Sequence, residues 1–306
     1  MFRTLLLALC CGAAVGCVPR TSPRAALERD LQALADSVPA RIGIAAVFGE
    51  GDTLIVGNRP GYPMASVYKF HQALALLDSL GRADLSPELP VAVHSSDLLP
   101  DTWSPLRDAR PGGGYSRPLS ELLYYSIAQS DNNVCDLLFR LLGGPEKVDR
   151  YVRGLGFGDT SITADEAAMH RDPALQYANT TSPLDAVRLL ERFRRGELLA
   201  PSYGDLLLTA LLSTATGPDK LRGQLPPEAR VAHKTGSGLR DAQGVAAADN
   251  DIGIVFLPDG RAYSVAVFIA DSPRSDRSNA AVIAAASRRI YDYFASERLP
   301  SSPGPE

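Results

Sequence analysis

The sequence predicts an α/β fold of the α+β kind in two domains: a sheet built from both ends of the chain, with an all-helical domain inserted between them. Three observations predict it. Strand-like alternation occupies the stretch after residue 41 and returns only after Leu225-Pro226-Pro227. Helical spacing fills the interval, and each end of the chain adds a helical pattern of its own.

Taken in order, Ser22-Pro23 followed by Leu27, Leu31 and Leu34 reads as an N-capped helix with one apolar face. Ile42, Ile44, Ala46 and Phe48 alternate up to Gly49-Glu50-Gly51-Asp52, and residues 53–56 run on, the pattern of a β-hairpin. Helical spacing marks residues 70–80, 120–129, 133–142, 146–155 and 183–194, with breaks at Gly143-Gly144 and between Gly154 and Gly158. Strands are predicted over 230–234, 242–247, 251–256 and 263–269, with Pro258-Asp259-Gly260 as a hairpin turn, and a last helix over 279–294. The α/β domain is therefore expected from residues 22–60 and 208–298, the helical domain from 61–207, and a loose Pro- and Ser-rich tail from 299–306.

Residues 1–17 read as a secretion signal: Arg3, an apolar run over 5–15 too short to span a bilayer, then small residues up to Cys17. The end Ala14-Val15-Gly16-Cys17 resembles a bacterial lipobox, in which Cys17 is lipidated and anchors the mature chain to a membrane; plain secretion and an uncleaved anchor are the alternatives. Three of the four cysteines, Cys10, Cys11 and Cys17, fall in this segment, so Cys135 is left without a partner for an internal disulfide. Its neighbours Val134, Leu137 and Leu138 predict a buried, inert thiol. A formal net charge of −4 with no Lys/Arg-rich block argues against a nucleic-acid partner. His71, His94 and His233 lack metal-ligand spacing, and no cofactor is implied.

Ser66-Val67-Tyr68-Lys69 places a hydroxyl and an amine three residues apart at the start of a predicted helix, where they share a face. A serine hydroxyl needs a nearby base and a site for the developing oxyanion to act as a nucleophile, and Lys69 and the helix start are placed to supply them. A capping serine with a solvated lysine has the same pattern. Ser130-Asp131-Asn132 lies between two helices, where a turn can project a hydroxyl and an amide into a cleft or merely cap a helix. Lys234-Thr235-Gly236-Ser237-Gly238 continues a strand with small residues that let a substrate lie against it.

Ser-x-x-Lys, Ser-Asp-Asn and Lys-Thr-Gly, in this order and at these separations, resemble the signature set of class A serine β-lactamases and penicillin-binding proteins. The resemblance covers nearly all of the mature chain and extends to Tyr62-Pro63-Met64-Ala65 before the serine, Asn133-Val134-Cys135-Asp136 after Asn132, His233, and Asn250-Asp251-Ile252-Gly253. It implies a β-lactamase/transpeptidase-like fold, a mostly antiparallel sheet flanked by helices, with the site between the domains. Ser66 is then the nucleophile that forms an acyl-enzyme with a β-lactam, and the N–H groups of Ser66 and Ser237 its oxyanion hole. A desolvated Lys69 close to Lys234 acts as base, and Ser130 passes a proton to the leaving ring nitrogen. Asn132 binds the substrate's side-chain amide, and Lys234, Thr235, Gly236 and Ser237 hold its carboxylate.

Turnover requires a base on a water, and the resemblance assigns it to Glu166, in Thr163-Ala164-Asp165-Glu166-Ala167-Ala168-Met169-His170, within the Ω-loop. The commonest class A pattern has an Arg two residues before this Glu and Leu-Asn three and four after it; here Ala164, Met169 and His170 stand there, and Asn179 cannot restore a charged clamp. Glu-Ala-x-Met-His followed by Tyr177-x-Asn179 is similar to the extended-spectrum branch with the PER-type and VEB-type enzymes. His170 is then expected beside the hydrolytic water, Trp103 as a wall of the cleft stacking on substrate, and Lys220, ahead of Arg222, as a second cation for the carboxylate. The rival readings are a D-alanyl-D-alanine carboxypeptidase or other penicillin-binding protein, and a non-catalytic penicillin sensor. A monomer exported to the periplasm is the default expectation.

Overall fold

Ser22 accepts a hydrogen bond from Ala25 N and so caps α1 (Pro23–Asp36), which buries Leu27, Leu31 and Ala35 along one face. The chain is described by a computed structural model over residues 22–49 and 51–296; the expected leader 1–17 and tail 299–306 lie outside the described residues. The hairpin follows as β1 (Arg41–Phe48) and β2 (Asp52–Val56), then a two-residue strand β3 (Tyr62–Pro63). A single 3₁₀ turn, Ala65–Val67, leads into α2 (Tyr68–Arg82), with β4 (Pro90–Val93), α3 (Pro105–Ala109) and β5 (Tyr115–Pro118) after it. Four helices come next: α4 (Leu119–Ala128), α5 (Asn132–Leu142), α6 (Pro145–Gly154) and α7 (Glu166–Arg171). After β6 (Thr180–Thr181) come α8 (Pro183–Arg194), α9 (Pro201–Leu212), β7 (Arg230–Ser237), β8 (Ala246–Phe256), β9 (Ala262–Ser272) and α10 (Asp276–Ser296).

The sheet has the order β2-β1-β9-β8-β7, every neighbouring pair antiparallel. Pairing of Ile42 with Ile269 and of Ile44 with Val267 joins the two chain ends at the sheet centre. Helices α1 and α10 cover one face, where Ile44, Val265, Ile283 and Ile290 share a core; α8 lies on the other, with Ala45, Ala266 and Leu189. That second core continues into the helical domain, whose axis is α2. This helix buries eleven of its fifteen residues because neighbours surround it.

Three features differ from the sequence reading. Residues 242–247 and 251–256, expected as separate strands, are a turn held by Asp241 Oδ1 and then one eleven-residue strand, β8. Within that strand the polar run Asp249-Asn250-Asp251 is accommodated because each side chain has a buried partner: Lys220, the Pro63 carbonyl and His233. The helical domain also carries a two-stranded ribbon, β4 with β5, too short to show periodicity. The expected boundary at 207/208 falls inside α9, which packs on both α4 and β7.

Candidate active site

Ser66 stands in the 3₁₀ turn rather than in α2 itself, preceded by Ala65 with a positive φ of 44°. Such a backbone persists only where its surroundings hold it. Asn250 Nδ2 donates to the Pro63 and Met64 carbonyls at 2.8 and 3.1 Å, and Met64 N donates to Asn179 O at 2.8 Å. The turn also lies against β7 at Gly236, where a Cβ would fall 2.5 Å from Met64 O and 3.2 Å from Ser66 N. Only glycine lets the strand approach the nucleophile this closely.

Lys69, fully buried, leaves α2 on the same side. Its Nζ donates to Ser130 O at 2.9 Å and Asn132 Oδ1 at 2.6 Å, and lies 3.0 Å from Glu166 Oε1. Three acceptors meet the three N–H groups of one ammonium. Ser130 takes a left-handed backbone, φ 56°, which aims its hydroxyl at β7, and Asp131 behind it caps α5 through Val134 N. The same carboxylate accepts from Ser104 Oγ and Leu106 N, tying the 103–106 segment to the turn.

Lys234 reaches across the domain boundary from β7 to donate to Ser130 Oγ at 2.9 Å. Burial first, and the neighbouring Lys69 charge second, lower its pKa well below the ordinary lysine range. Thr235 shares a 2.6 Å hydrogen bond with Thr216, and Ser237 Oγ accepts from Lys220 Nζ at 3.0 Å. Lys220 is buried and paired with Asp249 at 2.5 Å, so its charge is already met from within the protein; Arg222 is exposed.

Glu166 opens α7, a helix the sequence reading left as loop. Asp165 caps it by accepting from Ala168 N at 2.7 Å, and Asp136 accepts from Glu166 N and Ala167 N, both at 2.8 Å. Two carboxylates therefore satisfy the first three N–H groups of the helix. Burial, then the Asp165 charge, pushes the Asp136 pKa up to about 7. The missing Arg clamp is replaced without charge: Asn179 Oδ1 accepts from Thr163 N and Ala164 N, and its Nδ2 donates to Ala164 O at 2.8 Å. The far end of the loop is tied by Tyr177 Oη to Asp271 Oδ1 at 3.0 Å and by Leu239 N donating to Gln176 Oε1 at 2.8 Å.

These elements enclose a cleft in two lobes that share Ser66, Trp103, Asn132 and Ser237. One, of about 280 Å³, is lined by Glu166, Met169, His170 and Gln176; the other, of about 220 Å³, by Ser130, Thr216 and Thr235. Trp103 is 59% exposed at the rim, its Nε1 donating to Gln129 O. His170 is exposed beside Glu166, and Lys220 sits behind Ser237 rather than in the cleft. The sequence reading named all twelve of these positions but missed Thr216, Gln176, Asp136 and the helix at Glu166. Asp136 had a signal: it follows Asn132 by four residues on α5 and so shares its face.

A serine in a strained turn, flanked by two buried lysines and a hydroxyl that bridge two domains, with a carboxylate on the opposite wall, has the parts of a serine acyl-transfer enzyme that also manages water. The β-lactamase enzyme family matches over residues 26–294. Among curated relatives, the extended-spectrum β-lactamase PER-1 of Pseudomonas aeruginosa is 38% identical over 270 residues, 87% of each chain. The β-lactamase VEB-1 of the same species is 37% identical over 260 residues, 83% of this chain and 86% of that protein. The crystal structure of a class A β-lactamase from Bacteroides cellulosilyticus superposes with a TM-score of 0.87 at 38% identity, covering 90% of this chain and all of that one. The chain belongs to the β-lactamase family, in class A, and its activity is that of a serine hydrolase of β-lactams.

Proposed function

We propose that Ser66 attacks the β-lactam carbonyl as its hydroxyl proton passes to the Lys69–Glu166 pair, forming the Oγ–C bond, with the N–H groups of Ser66 and Ser237 on the oxyanion; the ring C–N bond then breaks. Ser130, hydrogen-bonded to Lys234, delivers the proton to the departing nitrogen. Lys234, Thr235 and Ser237 bind the substrate carboxylate in the smaller lobe by charge-assisted hydrogen bonds. Lys220, with Asp249, orients Ser237 from behind. Asn132 meets the side-chain amide, and Trp103 forms the outer wall. Glu166 then takes a proton from water as the water oxygen attacks the acyl carbon; the Oγ–C bond breaks and that proton passes back to Oγ, restoring the Ser66 hydroxyl. His170 borders that water's position. The observation that carries the reading is the 3.0 Å approach of the buried Lys69 ammonium to Glu166, whose carboxylate lines the lobe that holds Ser66.

The test is Glu166→Ala with benzylpenicillin. The variant is expected to acylate and then stall, giving a persistent adduct on Ser66 by mass spectrometry. Unchanged turnover would remove Glu166 from the mechanism. Similarity to PER-1 supports cephalosporins as preferred substrates and a role in antibiotic resistance. The leader pattern at 1–17 supports export to the periplasm, with Cys17 as a lipid acceptor. Cys17→Ala is expected to release the protein from membranes in a cell fractionation; an unchanged membrane fraction refutes lipidation.

A further inference from the structure

Tyr68, inside the Ser66–Lys69 motif, has no task in the acyl-transfer chemistry above. Its ring is fully buried and stacks on Phe139, centroids 5.7 Å apart and planes at 20°. Its hydroxyl points out of this core and donates to Glu166 Oε1 at 2.8 Å. Cys135 Sγ lies 3.6 Å from the same phenol oxygen. A thiol is a weak acceptor and a carboxylate a strong one, so the single phenol proton is committed to Glu166 while the thiol faces the phenol's lone pairs. Burial, reinforced by nearby negative charge, raises the Tyr68 pKa well above 10, so the hydroxyl remains a donor across the working range of pH. Lys69 reaches the same carboxylate oxygen at 3.0 Å. Two successive residues of α2 thus hold one oxygen of Glu166, and the other makes no hydrogen bond to the described residues.

We propose that Tyr68 is a positioning residue for deacylation: its hydroxyl locks the Glu166 carboxylate on Oε1 and turns the second oxygen toward the hydrolytic water. This rests on Glu166 being the deacylating base. A hydrogen bond to a carboxylate favours its charged form, so replacing Tyr68 by a residue without the donor removes a contact that stabilises the ionised side chain. A tyrosine that merely satisfied its own buried hydroxyl would share the geometry and have neither effect.

The experiment compares wild type, Tyr68→Phe, Glu166→Gln and the double variant, with acylation and deacylation rate constants measured separately by rapid quench and mass spectrometry from pH 5 to 9. Tyr68→Phe is expected to slow deacylation about tenfold, the scale of one charge-assisted hydrogen bond. Acylation should stay within about twofold of wild type and the acid limb of deacylation should move to higher pH. In the Glu166→Gln background the second substitution should change nothing. A wild-type deacylation rate and acid limb in Tyr68→Phe would overturn the proposal, as would an equal slowing of both steps or a full effect in the Glu166→Gln background. Should the Phe variant fold poorly, 3-fluorotyrosine at position 68, a stronger donor of the same shape, is expected to move the acid limb to lower pH; an unmoved limb is refutation. Normal turnover by Glu166→Gln is a separate outcome: it sinks the assignment of the base and this inference with it, whereas an inert Tyr68→Phe sinks only the inference.

Discussion

Acidification is expected to weaken the fold through His71, a residue outside the chemistry. It sits on α2, two positions after Lys69, with no exposed surface and neither ring nitrogen in a hydrogen bond. Burial lowers its pKa from 6.5 to about 4. The folded value is depressed, so the neutral ring's stabilising contribution is complete above pH 6.5, starts to fall as the unfolded chain takes up a proton, and is gone below about 4. At about 1.4 kcal/mol per pKa unit, a gap of about 2.5 units makes this roughly 3 kcal/mol. His71→Phe keeps an aromatic ring and removes the titration. Equilibrium urea unfolding of both proteins at intervals from pH 8 to 4 isolates the histidine, because every other titrating group is common to the pair. The difference between the two stabilities should be flat above pH 7 and grow in favour of the variant by about 3 kcal/mol on the way to pH 4. Parallel pH curves would refute the reasoning.

Gly236→Ala puts a methyl group 2.5 Å from Met64 O and 3.1 Å from Val67 N, both backbone atoms, and is expected to lower the acylation rate at least about a hundredfold by displacing Ser66; a stopped-flow acylation rate near wild type would contradict it. Asn179→Ala removes three hydrogen bonds that hold 163–164, a local loss of about 3 kcal/mol, so hydrogen exchange at those amides should accelerate and deacylation should suffer more than acylation. Lys220→Met strands the buried Asp249 carboxylate and should cost about 3–5 kcal/mol, most of it restored by adding Asp249→Asn, as chemical denaturation would show. Asp136 is raised from 3.8 to about 7, so the stabilisation from its bound proton is full below pH 3.8 and lost as pH rises through 7. Asp136→Asn should therefore gain on wild type across that window and level off above pH 8 in unfolding measurements.

The reaction's first half could be read from residue order because its groups come as short motifs on helices and strands whose periodicity is strong. Ser66, Lys69, Ser130 and Lys234 took their roles from the family resemblance that the order and separation of their motifs carry. The second half is written in contacts between distant loops, and there the reading thinned. Asn179 looked like the loss of a charge, while in three dimensions it holds the loop by backbone bonds alone. Glu166 looked like a loop residue because α7 is six residues long and owes its start to Asp136, thirty positions away. Residues 246–256 were split between two expected strands, whereas buried partners, invisible in sequence, make Asp249, Asn250 and Asp251 tolerable within one. Lys220 was expected to face the substrate, and Asp249 is what turns it inward.

The fastening of the nucleophile's turn by Asn250 spans 187 positions, and β1 cannot find β9 until residue 262 and beyond exist. Contacts of such long range are slow to form and reward the chain only late. Helices α2 to α6 draw on near neighbours and can consolidate while synthesis continues, leaving Ser66 tethered from one side only. Catalytic competence is therefore a property of the finished polypeptide. A chain stopped before β8 keeps its nucleophile with Lys69 and Ser130, and lacks both the Asn250 fastening of that turn and the strand against which β7 pairs.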